Sequence, residues 1–188
     1  LAAPKPTGSQ LSRRSASTDT PAQERPSARL DSLFKVNGFA ILSWQNVFIV
    51  VWTIPSSLEL VEQLSRHSAQ FHIDHPAGVS VVHIIAKGPP LPEPEVRERF
   101  SKLLGKNPKT LACVGVVLEG RGFWASAIRS FLLGLRIVSP RSVQMQAFST
   151  TREVATWMPD PHAARTGVRI GAGQFERALD DARASVEH

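Results

Sequence analysis

A chain of 188 residues with 42% hydrophobic content has room for one globular domain with tails, and a core of roughly 130 residues buries about two-thirds of its unfolded surface without a disulfide or metal staple. The single cysteine excludes an intrachain disulfide and suits a reducing, cytoplasmic compartment. A net charge of +6 favours phosphate-rich partners in general, but no stretch joins clustered Lys/Arg to exposed aromatics and tyrosine is absent, which argues against a nucleic-acid stacking platform.

Residues 1–31 are rich in Pro, Ser, Thr and Ala and show no hydrophobic period. Such a segment cannot bury enough apolar surface to offset its ordering entropy, so it reads as a disordered tail. It is basic, with Lys5, Arg13, Arg14, Arg25 and Arg29 against Asp19, Glu24 and Asp31. It lacks the apolar run of a secretory leader. Order is expected from near Phe34. "GFAILSW" and "NVFIVVWTI" are β-rich runs joined around Gln45-Asn46, the pattern of a hairpin. The stretch Phe39 to Ile54 is interrupted by Ser43, Gln45 and Asn46 and falls short of the ~20 apolar residues of a membrane helix, so no transmembrane segment is expected.

Pro55 stops the second run, and Ser56-x-x-Glu59 has capping-box spacing for a helix with Leu60, Leu64, His67 and Phe71 on one stripe. "VSVVHIIAK" (79–87) is apolar on both faces, as a central parallel strand is. A Pro-rich loop leads to a helix carrying Val96, Phe100 and Leu103, with Gly105 as its C-cap. "LACVGVVLE" is a second two-sided strand. The helix after Gly122 turns Trp124, Ile128, Phe131, Leu132 and Leu135 toward the core. "VQMQAFS" alternates strictly, which places it half-exposed and toward a sheet edge. Thr150-x-x-Glu153 opens a short helix with Val154 and Trp157. "GQFERALDDARASVEH" forms a last amphipathic helix with Phe175, Leu179, Ala182 and Val186 on its apolar stripe. The order β-β-α-β-α-β-α-β-α predicts a single α/β domain with a mixed, mostly parallel sheet and a leading β-hairpin.

This succession of hairpin, alternating strands and helices, and closing helix over roughly Phe34 to Met158 resembles the STAS domain and its SpoIIAA-like relatives. Family members that act as phosphorylation switches carry a serine or threonine where the second helix begins. Here that junction reads Lys87-Gly88-Pro89-Pro90-Leu91-Pro92-Glu93-Pro94-Glu95 and offers neither, so no phosphosite is carried over. The resemblance implies a non-enzymatic module that docks a protein partner or holds a small ligand.

Gly120-Arg121-Gly122-Phe123-Trp124-Ala125 fits the G-x-G-x-x-A pattern of a dinucleotide turn. The acid that such a fold needs on the ribose about 20 residues later is missing, because the next strand ends "AFST". A simpler reading keeps the glycines, which relax the backbone, and Arg121, whose charge adds to the positive end of the following helix. Ser126, Arg129, Leu133 and Arg136 form the face of that helix opposite its apolar stripe. His67, His72, Asp74 and His75 have metal-like composition but read as a helix end and a turn. His83 sits mid-strand among valines and isoleucines, where a histidine needs a hydrogen-bond partner. Cys113 lies in an apolar strand, which makes a thiol inert.

These readings give a tail at 1–31, a STAS-like domain at 32–160, and a loop with an amphipathic helix at 161–188. The expected activity is non-catalytic: a cytoplasmic regulatory or scaffolding module that binds a protein partner, or a second copy of itself, through Gly120, Arg121, Gly122, Ser126, Arg129 and Arg136. The alternative is a small-ligand module holding an anionic metabolite or lipid headgroup at the Arg121 turn. No cofactor and no metal are expected.

Overall fold

Two strands set the architecture, because nearly every side chain in them is apolar and neither face can be left to water. In a computed structural model, which describes residues 29–104, 106, 109–120, 122–138 and 143–186, these are β3 (Val47–Trp52) and β5 (Leu111–Leu118), buried at every position. Between them lies β4 (Val79–Ile85). The sheet has six strands in sequential order, with β1 (Leu30–Val36) and β2 (Phe39–Trp44) ahead of these and β6 (Gln144–Phe148) at the far edge. β1, β2 and β3 run antiparallel; β3, β4, β5 and β6 are parallel.

Sequential parallel strands with right-handed crossovers send every crossover helix to the same face. Helices α1 (Leu58–Asp74), α2 (Pro94–Leu104) and α3 (Phe123–Val138) therefore share one side. Val61, Leu64, Phe71 and Val96 cover Phe48, Val50 and Trp52 there, while Ile128 covers Val114 and Val116. The opposite face is closed by α4 (Thr151–Trp157), α5 (Pro159–Thr166) and α6 (Ala172–Ala184). Their Val154, Met158, Phe175 and Leu179 cover Trp44, Ile49, Val82, Ile84 and Cys113. Phe175 stacks on Trp44 with ring centroids 5.4 Å apart, and Arg183 Nε reaches both oxygens of Glu119 at 2.8 and 2.9 Å, fastening α6 to the end of β5. Among the described residues no helix is long and apolar enough to cross a membrane.

The α/β architecture, the hairpin, the mostly parallel sheet and the edge position of β6 are as the sequence predicts. Two features go beyond it. Order begins at least by Leu30, because β1 pairs with β2 from Leu30↔Trp44 to Val36↔Phe39 across the turn Asn37-Gly38, so residues 30 and 31 belong to the sheet rather than to a tail. Gly38 has φ +79, and Ile54 Cγ2 would lie 2.4 Å from an added Cβ. The chain after β6 also folds into three helices, α5 starting at Pro159, inside the span read as helix end and loop. Residues 1–28, the bulk of the predicted tail, lie outside the described residues.

Local signals shift by single residues. The N-cap of α1 is Ser57, which accepts from Leu60 N, not Ser56, so the expected reciprocal box with Glu59 does not form. At α4 the expected pair does act: Thr150 Oγ1 accepts from Glu153 N, and the Glu153 carboxylate accepts from Ser149 N at 2.7 Å.

Gly115 in β5 faces α4, and an added Cβ there would sit 2.5 Å from Val154 Cγ2 and 3.3 Å from Met158 Cε. Gly115→Ala is expected to pry α4 from the sheet and cost about 1–3 kcal/mol, measured as a lower urea midpoint with unchanged m-value.

Candidate functional site

Two different surfaces meet at α3, and a third, wholly interior cluster lies on the other face of the sheet. The turn singled out by sequence begins where β5 ends: Gly120 N donates to Leu118 O at 2.9 Å. Gly122 is exposed with φ +79 and nothing within 4 Å of an added Cβ. The left-handed region favours glycine, so this position is set by the turn itself. Arg121 lies outside the described residues, as does the side chain of Arg136. Ser126 and Arg129 are exposed; Ser126 Oγ donates back to Gly122 O at 3.2 Å, and Arg129 Nη2 reaches Ser149 Oγ at 3.4 Å. Leu133 on the same face is 59% exposed. The predicted split of α3 therefore holds where its side chains are described, with Ile128 buried and Leu132 half-buried on the inner side.

Arg129, Leu132 and Leu133 border a groove of about 560 Å³, shared with Gln144, Met145, Gln146, Ala147 and Trp157 around β6. Among the described residues β6 pairs only with β5, leaving its outer backbone edge open.

On the inner side of α3 lies a cleft of about 100 Å³ between α2 and α3. Its floor is β4 and β5, and Pro89, Pro90 and Pro92 of the loop after β4 form its lip. His83 sits in this floor because β4 alternates: Val79, Val81, His83 and Ile85 face the crossover helices, while Ser80, Val82 and Ile84 face α4–α6. Trp52 Nε1–H donates to His83 Nδ1 at 3.2 Å, with the rings stacked 6.5 Å apart. Burial pushes the His83 imidazole down to about 4, so it is neutral at pH 7. With Nδ1 accepting, the single ring proton sits on Nε2.

The interior cluster joins Asn46, Ser80, Cys113 and His162, all buried. Asn46 Nδ2 donates to Gly78 O at 2.9 Å, which turns Oδ1 toward His162 Nε2 at 3.0 Å. An amide oxygen can only accept, so Nε2 carries the proton and His162 Nδ1 accepts from Ser80 Oγ at 2.8 Å. The Ser80 oxygen then accepts from the Cys113 thiol at 3.2 Å. Every member is satisfied. Burial pushes His162 down to about 4 and Cys113 up to about 11, which keeps both neutral. The types are those of a nucleophile relay, yet all four side chains are sealed under α5, and the arrangement pins α5 to the sheet.

The chain matches no protein-family model and no curated protein.

The histidines of α1 do not converge. His72 Nδ1 pairs with Thr110 Oγ1 at 2.8 Å and His75 Nδ1 with Phe71 O at 2.9 Å. Among the described residues no group of three or more His, Cys, Asp or Glu is placed to hold a metal ion. Sequence reasoning singled out His83 and Cys113 but missed His162, Asn46, Ser80 and Trp52. Alternation along β4 puts His83 and Ser80 on opposite faces, but nothing local in the sequence names their partners.

Burial holds His83 and His162 near 4 in the fold against an ordinary 6.5, and it lowers His67 and His72 too, with Arg66 and His75 adding to the respective shifts. The unfolded chain therefore binds protons that the folded chain refuses. Stability is expected to be level above pH 6.5 and to fall as the pH drops toward 4. Urea midpoints across that range check this, and His162→Gln should make the fall shallower.

Proposed function

We propose that this protein is a non-catalytic regulatory or scaffolding module that docks a protein partner along β6 and the adjoining outer face of α3. The observation that carries this reading is the contrast between the two edges of the sheet. β1 carries Asp31 and Lys35 and breaks its register between Ser32 and Phe34, devices that discourage another strand from adding. β6 has no charged residue and no register break, presents Gln144 and Gln146 outward, and is flanked by exposed Leu133 and Arg129. An extended segment can add to such an edge by main-chain hydrogen bonds, with side-chain pockets supplying selectivity. A partner segment carrying a carboxylate beside an apolar residue would meet both Arg129 and Leu133.

Two further points favour binding over catalysis. The polar relay of Cys113, Ser80, His162 and Asn46 is buried and self-satisfied. The resemblance to STAS-type modules implies docking or ligand holding without chemistry. A reducing, cytoplasmic setting accords with the unpaired, buried Cys113. The alternative of an anion at the Arg121 turn centres on a residue outside the described ones. The small-ligand idea has better support at the cleft inside α3.

Affinity capture from native lysate is the test, with Arg129→Glu and Gln146→Lys as surface variants that leave the core untouched. A near-stoichiometric protein held by the wild type, lost from both variants, and protecting the Gln144–Phe148 amides from hydrogen exchange is the expected outcome. A partner retained by both variants, or protection confined to another region, would overturn the assignment. A second copy of the chain as occupant would show instead as a dimer by light scattering that Gln146→Lys dissolves.

A further inference from the structure

The cleft between α2 and α3 is apolar almost throughout. Trp52, Ile85, Phe100, Leu103, Val116 and Leu132 supply most of its walls, and among the described residues no Lys, Arg, Asp or Glu lines it. The three prolines at its lip add wall without adding a backbone N–H. Against this background His83 stands out as a directional donor. Trp52 occupies its Nδ1 and forces the proton to Nε2, and Nε2 has no hydrogen-bond partner among the described residues. The ring is not sealed: His83 keeps partial exposure, and it lines the cleft. A donor in so apolar a place loses free energy while it lacks an acceptor.

Three properties of a complementary occupant follow. It is neutral, since a carboxylate or phosphate would shed its hydration with no cation among the described lining residues to replace it. It is small, because about 100 Å³ is somewhat less than the ~150 Å³ apolar cavity that accepts benzene. It presents one hydrogen-bond acceptor on an otherwise apolar body. Trp52 and Ile85, the last residues of β3 and β4, and Ile54 just beyond β3 are among its lining. We propose that this cleft is a binding site for a small, neutral, largely apolar molecule whose single acceptor, a ketone, ester or amide carbonyl, takes the Nε2–H of His83. The imidazole is neutral at pH 7 and brings no charge to the cleft. This site is separate from the β6 edge and does not rest on docking there.

The test titrates ¹⁵N-labelled protein with cyclobutanone, with methylenecyclobutane, which has the same ring and an exocyclic CH₂ in place of oxygen, and with cyclobutanecarboxylate. The Trp52 indole N–H and the His83 ring resonances report occupancy directly. The expected result is a saturable shift of both, with the ketone bound about tenfold more tightly than the alkene, the worth of one net hydrogen bond, and the carboxylate weakest. His83→Phe should bring ketone and alkene to within about twofold of each other. Leu132→Trp, which fills the cleft and leaves His83 in place, should abolish the shifts produced by both. Equal affinity for ketone and alkene in the wild type, tightest binding of the carboxylate, or shifts that survive Leu132→Trp would each overturn the proposal. So would unchanged Trp52 and His83 resonances at saturating cyclobutanone. None of these readings involves a protein partner, so failure here leaves the β6 assignment standing, and the reverse holds equally.

Discussion

Everything in this molecule answers to strands that have no polar side. β3 and β5 are buried at every position, and a sheet built on them is stable only when both faces are dry. The three crossover helices can cover just one face, because sequential right-handed connections all fall on the same side. The other face has to be covered by chain beyond the last strand, and α4, α5 and α6 do so. The approach is close at Gly115, where the absence of a side chain lets Val154 and Met158 come against the strand.

The two strongly perturbed histidines show how the same shift can carry different meanings. Burial depresses both to about 4, and both are neutral at pH 7. His162 uses both ring nitrogens, one on Asn46 and one on Ser80, and so ties the β2–β3 turn, β4 and α5 together. Losing either partner would leave a buried polar atom unpaired, which is why such a network holds a single geometry. His83 spends one nitrogen on Trp52 and holds the other toward a gap between helices. The partner inventory, rather than the titration, separates a structural pin from a group with capacity to spare.

What could be read from the sequence follows the range of the physics involved. Two-sided apolar runs mark central strands regardless of what covers them, so the centre of the sheet was legible. The outer face of α3, with Ser126, Arg129 and Leu133, follows from helical spacing alone. β1 was not read as a strand, because Asp31, Ser32 and Lys35 dilute its apolar pattern. The cleft was not legible, since it is the space between two helices whose separation no local pattern records. The polar cluster was equally hidden, because Asn46, Ser80, Cys113 and His162 are brought together only by tertiary folding. His83 could be flagged as a histidine in want of a partner; that Trp52 is that partner depends on the β3–β4 register.

The late position of α4–α6 in the chain bears on how the molecule comes to be folded. As synthesis proceeds, residues 39–118 can pair into strands and receive α1 and α2. The face bearing Trp44, Ile49, Val82 and Cys113 waits for residues 151–186. The Asn46–His162 bond closes over 116 residues of sequence. Contacts of such reach slow folding, because the chain between them must be ordered before they reward it. A sheet with one bare apolar face is meanwhile prone to associate with its own kind. Residues 151–186 thus act as the sheet's own cover, and the nascent protein is most vulnerable just before they arrive.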